Sequence, residues 1–326
     1  MINFEYTRVK TVKAAVDALS KSTGNGLIAG GTNLVDLMKR GVTTHQKLID
    51  INQLQMDFIT DKADSIQVGA LVRNSDLSEH PQIQQQFPLL SLALKAGASA
   101  QLRNMATVGG NMMQRTRCTY FYDLTMPCNK RKPGSGCGAL KGYNRMHAIF
   151  GASEQCIAVH PSDMCVALAA LDATITVEGN KGTRTIAFGD FHRLPGTNPE
   201  KDNTLRPGEI ITLISIPKAG FTRHVSYVKI RDRASYAFAL VSVAAALDMD
   251  GDTIRSARLA MGGVAHKPWR LTAAEKFLEG KKAGTAIFEQ TATIAMQGAT
   301  GYGANNFKLK LGPATIVEAL NKASQV

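Results

Sequence analysis

The amino-acid sequence predicts an α+β fold in which two small α/β units precede an antiparallel sheet with helices. Short apolar strands alternate with helical segments in the first part of the chain. Residues 217–220 interrupt this pattern, and long strands follow, with Asp250-Gly251 as a hairpin turn between two of them. The 326 residues, 44% of them hydrophobic, suffice for two or three domains. We therefore predict one domain over residues 1–220, built of two subdomains, and a second over residues 221–326.

The individual elements follow from hydrophobic periodicity. In the first domain, helices are predicted at residues 12–19, 34–39, 75–79, 88–98 and 162–171. Strands are predicted there at residues 26–29, 47–50, 65–69, 174–177 and 210–216, the last ended by Pro217. In the second domain we expect strands at residues 223–230, 237–247 and 256–261, followed by helices at residues 271–278, 283–296 and 313–323.

Charge and apolar patterning weigh against several classes of protein. The chain has 38 basic and 26 acidic residues, a formal net charge of +12. Because the basic residues are scattered, with no basic tail and little aromatic interleaving, we expect no nucleic-acid binding; an acidic partner or an anionic cofactor fits at least as well. The start, MINFEYTRVKTV, lacks the apolar run of a signal peptide, and no stretch is apolar enough for membrane insertion. The chain alone is expected in the cytoplasm, unless a signal-bearing partner exports it.

Two glycine-rich loops could hold a cofactor. Residues 29–34 (AGGTNL) join an apolar strand to a helix, and residues 107–111 (TVGGN) repeat the pattern about eighty residues later. Paired glycines let a backbone approach a ligand closely, and a helix start offers free N–H groups to a pyrophosphate. An ordinary strand–helix turn is the alternative. Neither loop is GxGxxG or GxxxxGK[ST], so Rossmann and Walker sites are unsupported, whereas two such loops suit a long dinucleotide clamped between subdomains.

A third motif, HPSDM at residues 160–164, opens an apolar helix. Ser162 is a natural N-cap for this helix. Asp163, in the first turn, could instead accept hydrogen bonds from a ribose or ribityl hydroxyl. Both interpretations stay open from the residues alone.

Four of the five cysteines lie in one segment, at about residues 115–158, that is rich in glycine, proline and lysine. Cys118, Cys128, Cys137 and Cys156 are separated by nine, eight and eighteen residues. Because such a segment buries little apolar surface, a metal held by four thiolates would offset the entropy cost of ordering it. The spacing matches neither a zinc ribbon nor a ferredoxin, so zinc, an iron–sulfur cluster and disulfides all remain possible. Cys165, on an apolar helix, is interpreted as a core residue, and His147 and His160 are assigned no metal.

Together these motifs resemble the flavin-binding subunit of the xanthine dehydrogenase and molybdenum hydroxylase family. AGGTNL, TVGGN and HPSDM are followed in the family's order by RPGEIITLISIP at residues 206–217, RDRASYAFALVSVAAAL at 231–247 and GGVAHKPWR at 262–270. The resemblance covers essentially the whole chain. It implies FAD between two N-terminal α/β subdomains and a C-terminal domain of the CO dehydrogenase flavoprotein type. It implies FAD contacts for Gly26, Leu27, Ile28, Ala29, Gly30, Gly31, Thr32, Asn33, Leu34, Thr107, Gly110, Asn111, Asp163, Ile211 and Lys229.

The cysteine segment narrows the resemblance to the FAD and iron–sulfur subunit of bacterial periplasmic aldehyde oxidoreductases. RTRC, YFYD, PCNKR and PGSGC support this match. It implies a [4Fe-4S] cluster on the four clustered cysteines, a heterotrimer with a [2Fe-2S] subunit and a molybdopterin-binding catalytic subunit, and a periplasmic location as a passenger. Electrons would pass from molybdenum through iron–sulfur centres to FAD and an external acceptor, with no catalytic acid–base pair on this chain.

Three alternatives remain open at this point. The chain could be a flavin subunit of the 4-hydroxybenzoyl-CoA reductase type, which also carries an extra cluster. It could be a stand-alone FAD reductase, which would not need four clustered cysteines. It could also be an assembly module stabilised by zinc.

Overall fold

The computed structural model describes residues 1–325. The first subdomain of the protein is a small parallel sheet with two helices. Its elements are β1 (Glu5–Arg8), α1 (Val12–Ser20), β2 (Asn25–Ile28), α2 (Leu34–Lys39) and β3 (Lys47–Asp50). The strands lie in the order β1-β3-β2. Thr11 begins α1 because its hydroxyl accepts a hydrogen bond from the N–H of Ala14. Ala15, Val16 and Ile49 form the centre of this subdomain's core.

The second subdomain is an antiparallel five-stranded sheet covered by helices, with strand order β4-β5-β8-β6-β7. Its strands are β4 (Ile59–Asp61), β5 (Ser65–Gly69), β6 (Thr174–Gly179), β7 (Gly182–Ala187) and β8 (Ile210–Pro217). Its helices are α3 (Asn74–Glu79), α4 (Pro81–Gln86), α5 (Pro88–Ala96), α6 (Ala100–Arg103), α7 (Val108–Met112), α8 (Thr119–Tyr122), α9 (Gly138–Lys141), α10 (Asp163–Ala170) and α11 (Phe188–Phe191).

The C-terminal domain is a four-stranded antiparallel sheet, in the order β12-β11-β10-β9, with helices on one face. Its elements are β9 (Val225–Ile230), β10 (Val241–Asp250), β11 (Thr253–Gly262), β12 (Trp269–Arg270), α12 (Thr272–Leu278), α13 (Thr285–Ala295) and α14 (Lys308–Ser324). Strand β10 is buried on both faces. Val243 and Ala245 point to the core formed with these helices, whereas Ala244 and Ala246 belong to the core of the second subdomain. One face of the C-terminal sheet therefore packs in the core of the second subdomain, and its other face packs in a separate core with these helices.

The predicted fold class is confirmed, and the differences lie in short or exposed elements. Strands β1, β4, β7 and β12 were not predicted, because they are short or largely exposed and lack a clear apolar alternation. The turn at Asp250-Gly251 is confirmed, with Gly251 at a φ of +58°. Helix α14 begins five residues before Pro313, which lies inside it, so taking proline as the helix start was wrong.

The cysteine segment folds into short turns that the rest of the protein holds in place. On one side, Phe121 and Cys128 pack with Leu37 of α2. On the other side, the buried ammonium of Lys308 donates to the carbonyls of His147 (2.9 Å) and Gly263 (2.7 Å). Packing and hydrogen bonds therefore offset part of the entropy cost of ordering this segment, and the contribution of a metal stays a prediction. Among the described residues, no helix has the length and apolarity needed to cross a membrane.

A candidate cofactor cleft beside a pocket of four cysteines

The two glycine-rich loops face each other across a cleft of about 430 Å³. It lies between the parallel sheet of the first subdomain and helix α7 of the second. Most of the residues predicted to contact FAD line it, namely Leu27, Ala29, Gly30, Gly31, Thr32, Asn33, Leu34, Thr107, Gly110 and Ile211. The lining is mostly apolar with a few polar groups, as is typical of a cofactor site. The structure therefore brings together residues that are up to about 180 positions apart in sequence.

The paired glycines of the first loop have different structural roles. Gly31 adopts a φ of +71°, a left-handed conformation that turns the chain from β2 into α2. A Cβ on Gly30 would lie 1.9 Å from the carbonyl oxygen of Met105, so Gly30 permits contact with the segment just before the second loop. Gly30 thus serves packing between the two loops, and its contact with FAD stays a prediction.

Asn33 links the two sides of the cleft and leaves one hydrogen-bond donor free. Its side-chain oxygen accepts from the backbone N–H of Arg115 (2.9 Å). Its Nδ2 is buried and has no partner within residues 1–325. A buried amide donor is costly to leave unsatisfied, so this atom is suited to an acceptor on a bound group. With the N–H groups at the start of α2, it fits the oxygens of a pyrophosphate, and the cleft therefore fits FAD.

Gly26 and Ile28, two further predicted contacts, do not line the cleft. A Cβ on Gly26 would lie 2.7 Å from the ring of His45, which does line it. Ile28 lies near the position that a Cβ on Gly31 would occupy. Both residues support the shape of the wall, and direct contact with FAD stays a prediction.

Several cleft residues were missed by sequence reasoning. His45, Arg115 and Glu209 all line the cleft. Glu209 is paired with Arg184 through two bonds of 2.7 Å, which lower the pKa of its carboxyl. Arg115 is paired with Asp202 at 2.6 Å. Arg115 opens the RTRC motif and Glu209 lies within RPGEIITLISIP, whereas His45 belongs to none of the quoted motifs.

Asp163 and Lys229, both predicted FAD contacts, contact each other. The ammonium of Lys229 lies 2.8 Å from Oδ2 of Asp163, and the two side chains are only 4% and 7% exposed. The hydroxyl of Tyr227 donates to Oδ1 of Asp163 (2.7 Å). Asp163 lines a smaller cavity of about 150 Å³ between the cysteine segment and the C-terminal domain, not the larger cleft. A role toward FAD stays a prediction for both residues.

Ser162 and Asn111 join helix α10 to helix α7. Ser162 caps α10 by accepting from the N–H of Cys165 (3.1 Å), as one of the two interpretations predicted. Its hydroxyl also donates to Oδ1 of Asn111 (2.6 Å), which accepts from Gln114 as well (2.7 Å). The side chain of Asn111 is thus engaged within the protein and lies outside the larger cleft.

The four clustered cysteines surround one small cavity of about 10 Å³. Cys118 precedes α8 and Cys137 precedes α9, while Cys128 pairs with Cys137 in an antiparallel bridge. Cys156 reaches the cavity from a tight turn that begins at Ser153. Lys130 and His147 complete the wall, and a ring nitrogen of His147 lies 3.1 Å from the sulfur of Cys118. The predicted set of four therefore converges, although its members come from separate turns.

The four thiols of this pocket are a donor set that could hold a metal centre. All four thiols are free, so none of them forms a disulfide within the described chain. No three of these sulfurs lie within 4.8 Å of one another in residues 1–325. Both a zinc ion and an iron–sulfur cluster can be held by four cysteine thiolates, so the donor set present fits either.

Burial makes the thiols of Cys118 and Cys156 weak acids. It raises the pKa of Cys118 to about 12 and that of Cys156 to about 11, although the nearby charge of Lys130 lowers the latter in part. Thiolates at these positions would therefore depend on bound metal and on nearby cations.

Cys165 lies apart from this pocket and is fully buried, as predicted for a core residue. Its sulfur lies within 4.8 Å of ring nitrogens of His160 and His192. This proximity is not visible in the sequence, because His192 comes from the turn after α11. Nε2 of His192 donates to the carbonyl of Met112 (2.9 Å), and burial lowers the pKa of His192 to about 4.

Comparison with known proteins places this arrangement in a family. Residues 2–219 match the family model of the FAD binding domain in molybdopterin dehydrogenase, and residues 226–321 match that of the CO dehydrogenase flavoprotein C-terminal domain. The chain is 49% identical to the aldehyde oxidoreductase FAD-binding subunit PaoB of Escherichia coli, over 98% of both proteins. It is 28% identical to the glyceraldehyde dehydrogenase medium chain of Sulfolobus acidocaldarius, over 89% of this chain and 86% of that one.

Solved structures agree with the fold. A carbon monoxide dehydrogenase chain from Hydrogenophaga pseudoflava superimposes with a TM-score of 0.78 at 25% identity, covering 99% of this chain and 98% of that chain. The chain therefore belongs to the FAD-binding subunits of the molybdenum hydroxylase family, which are parts of multi-subunit oxidoreductases.

Proposed function

We propose that this chain is the FAD and [4Fe-4S] electron-transfer subunit of a molybdenum-dependent aldehyde oxidoreductase. The observation that carries the proposal is the convergence of Cys118, Cys128, Cys137 and Cys156 on one pocket, next to a cleft that fits FAD. Bound FAD would exchange electrons singly with clusters and singly or in pairs with an external acceptor. This chain's own residues bind the cofactor and keep water from the buried thiols of Cys128 and Cys156.

The substrate class and the partners rest on similarity. The relative at 49% identity is the FAD-binding subunit of an aldehyde oxidoreductase, and the relative at 28% belongs to a glyceraldehyde dehydrogenase. On this basis we propose a heterotrimer with a [2Fe-2S] subunit and a molybdopterin-binding subunit that oxidises an aldehyde. We further propose a periplasmic location, reached as a passenger on a signal-bearing partner. Family membership and the four converging thiols favour this function over a stand-alone FAD reductase.

The test is cofactor analysis of the complex purified with its partners. We expect about one FAD per copy of this chain and, beyond the partners' own clusters, about four iron atoms and four sulfides. An electron paramagnetic resonance (EPR) signal of a reduced cluster should disappear in Cys128→Ser, while the partners' [2Fe-2S] signals remain. Zinc in place of iron would support the assembly module instead. FAD without additional iron would contradict the cluster, and reduction of a hydroxyaryl-CoA thioester by an electron donor, with no oxidation of an aldehyde, would favour the reductase of the 4-hydroxybenzoyl-CoA type.

A further inference from the structure

One charge network, in which Lys130 is buried and the other two side chains are partly exposed, joins the cofactor cleft to the cysteine pocket. It consists of Arg115, Asp202 and Lys130, and we call it the Asp202 network. Oδ2 of Asp202 accepts from Arg115 (2.6 Å), and Oδ1 accepts from Lys130 (2.6 Å). Arg115 lines the cleft, whereas Lys130 lines the cavity between the four cysteines. A single carboxylate therefore contacts one cation from each site.

Lys130 is placed unusually for a lysine. Its side chain is only 3% exposed, and its ammonium donates to the carbonyl of Pro199 (2.6 Å) as well as to Asp202. Lysine is almost never buried without a reason, and a buried ion pair contributes little net stability because both charges lose water. A gain in stability therefore does not explain why the ammonium of Lys130 is buried. The residues around it in the cysteine pocket offer another explanation.

The burial of this charge is explained if the cysteine pocket holds a metal centre. Four thiolates around a cluster form a buried anion, which needs compensating positive charge in a region of low dielectric. Within the described wall of the pocket, Lys130 is the one residue with a permanent cationic group. The neighbouring Lys132 has the same charge but is exposed to solvent, where its field is screened.

We propose that Lys130 is the countercharge of the cysteine centre and that Asp202 positions it while also orienting the guanidinium of Arg115 at the flavin cleft. This inference rests on the proposed function, since it needs a cluster in the pocket. Lys130 would favour the reduced, more negative state of the cluster. Because Asp202 touches both cations, its own charge would affect the reduction potentials of both centres.

The experiment is a redox titration of the complete enzyme, followed by EPR for the cluster and by visible absorption for the flavin. Lys130→Met should lower the equilibrium constant for reduction of the cluster about tenfold. This corresponds to a reduction potential that is lower by about 59 mV for one electron. The matched control Lys132→Met should change it by much less. Asp202→Asn removes a negative charge near both centres and should raise both potentials.

The outcomes separate the inference from the proposed function. A parent enzyme with FAD but no additional iron overturns both. A parent with the cluster, together with an unchanged potential in Lys130→Met, overturns only the inference. If Lys130→Met loses its iron, Lys130→Arg decides: iron retained there supports a countercharge, and iron lost there means that Lys130 serves packing.

Discussion

Because Asp163 forms a buried ion pair with Lys229, we expect its replacement to reduce the stability of the protein. Replacing Asp163 by alanine leaves the ammonium of Lys229 buried, at 4% exposure, with the carbonyl of Ala96 as its remaining partner at 3.0 Å. Breaking a buried ion pair in this way costs about 3–5 kcal/mol. Ser162→Ala removes a helix cap worth roughly 1 kcal/mol. We therefore expect Asp163→Ala to destabilise the chain far more than Ser162→Ala.

Two measurements on the assembled enzyme test this reasoning. Thermal unfolding reports stability, and the rate of FAD release, followed by flavin fluorescence, reports cofactor retention. The matched double variant Asp163→Ala/Lys229→Met removes both charges and should recover much of the lost stability. If Asp163 also contacts FAD, the double variant will recover stability without recovering FAD retention. Equal unfolding temperatures for Asp163→Ala and Ser162→Ala would refute the argument.

Two further predictions follow from the backbone and from a buried histidine. Gly31→Val should abolish FAD binding while the cysteine pocket still folds, because a β-branched residue strongly disfavours the left-handed φ of +71°; equal FAD content in the variant and its parent would contradict this. Because burial lowers the pKa of His192 to about 4 from 6.5, its contribution to stability is complete above about pH 6.5 and falls by up to about 3 kcal/mol as the pH drops toward 4. His192→Gln should flatten the fall in unfolding temperature between pH 7 and 5, and an unchanged slope would show that other groups cause it.

The fold and the cleft loops were largely predictable because their requirements are local. A left-handed turn at Gly31 and a helix cap at Ser162 both leave a recognisable residue at a fixed position. The clustering of the cysteines likewise predicted that they converge. The different roles of Gly31, which forms the turn, and Gly30, which contacts the second loop, were not predictable. The role of Gly30 depends on Met105, which lies about 75 residues away.

The charge network was beyond sequence reasoning for the same reason. Asp202 is 87 residues from Arg115 and 72 residues from Lys130, and no local pattern surrounds it. The pairing of Asp163 with Lys229 spans 66 residues. Such contacts depend on how the subdomains pack. In the sequence, each of these residues therefore cannot be distinguished from a charged residue on the surface.

The central claim, that four named thiolates hold an iron–sulfur cluster, is tested most directly by metal analysis of five serine variants in the full complex. Iron, zinc and acid-labile sulfide should be measured for Cys118→Ser, Cys128→Ser, Cys137→Ser, Cys156→Ser and Cys165→Ser. We expect the first four to lose iron and sulfide together, because each sulfur lines the same cavity. Cys165→Ser should keep both, since its buried sulfur lies outside that cavity and the change only adds polarity to the core. Loss of iron in Cys165→Ser with retention in Cys156→Ser would contradict the ligand assignment, and zinc without sulfide in the parent would contradict the cluster itself.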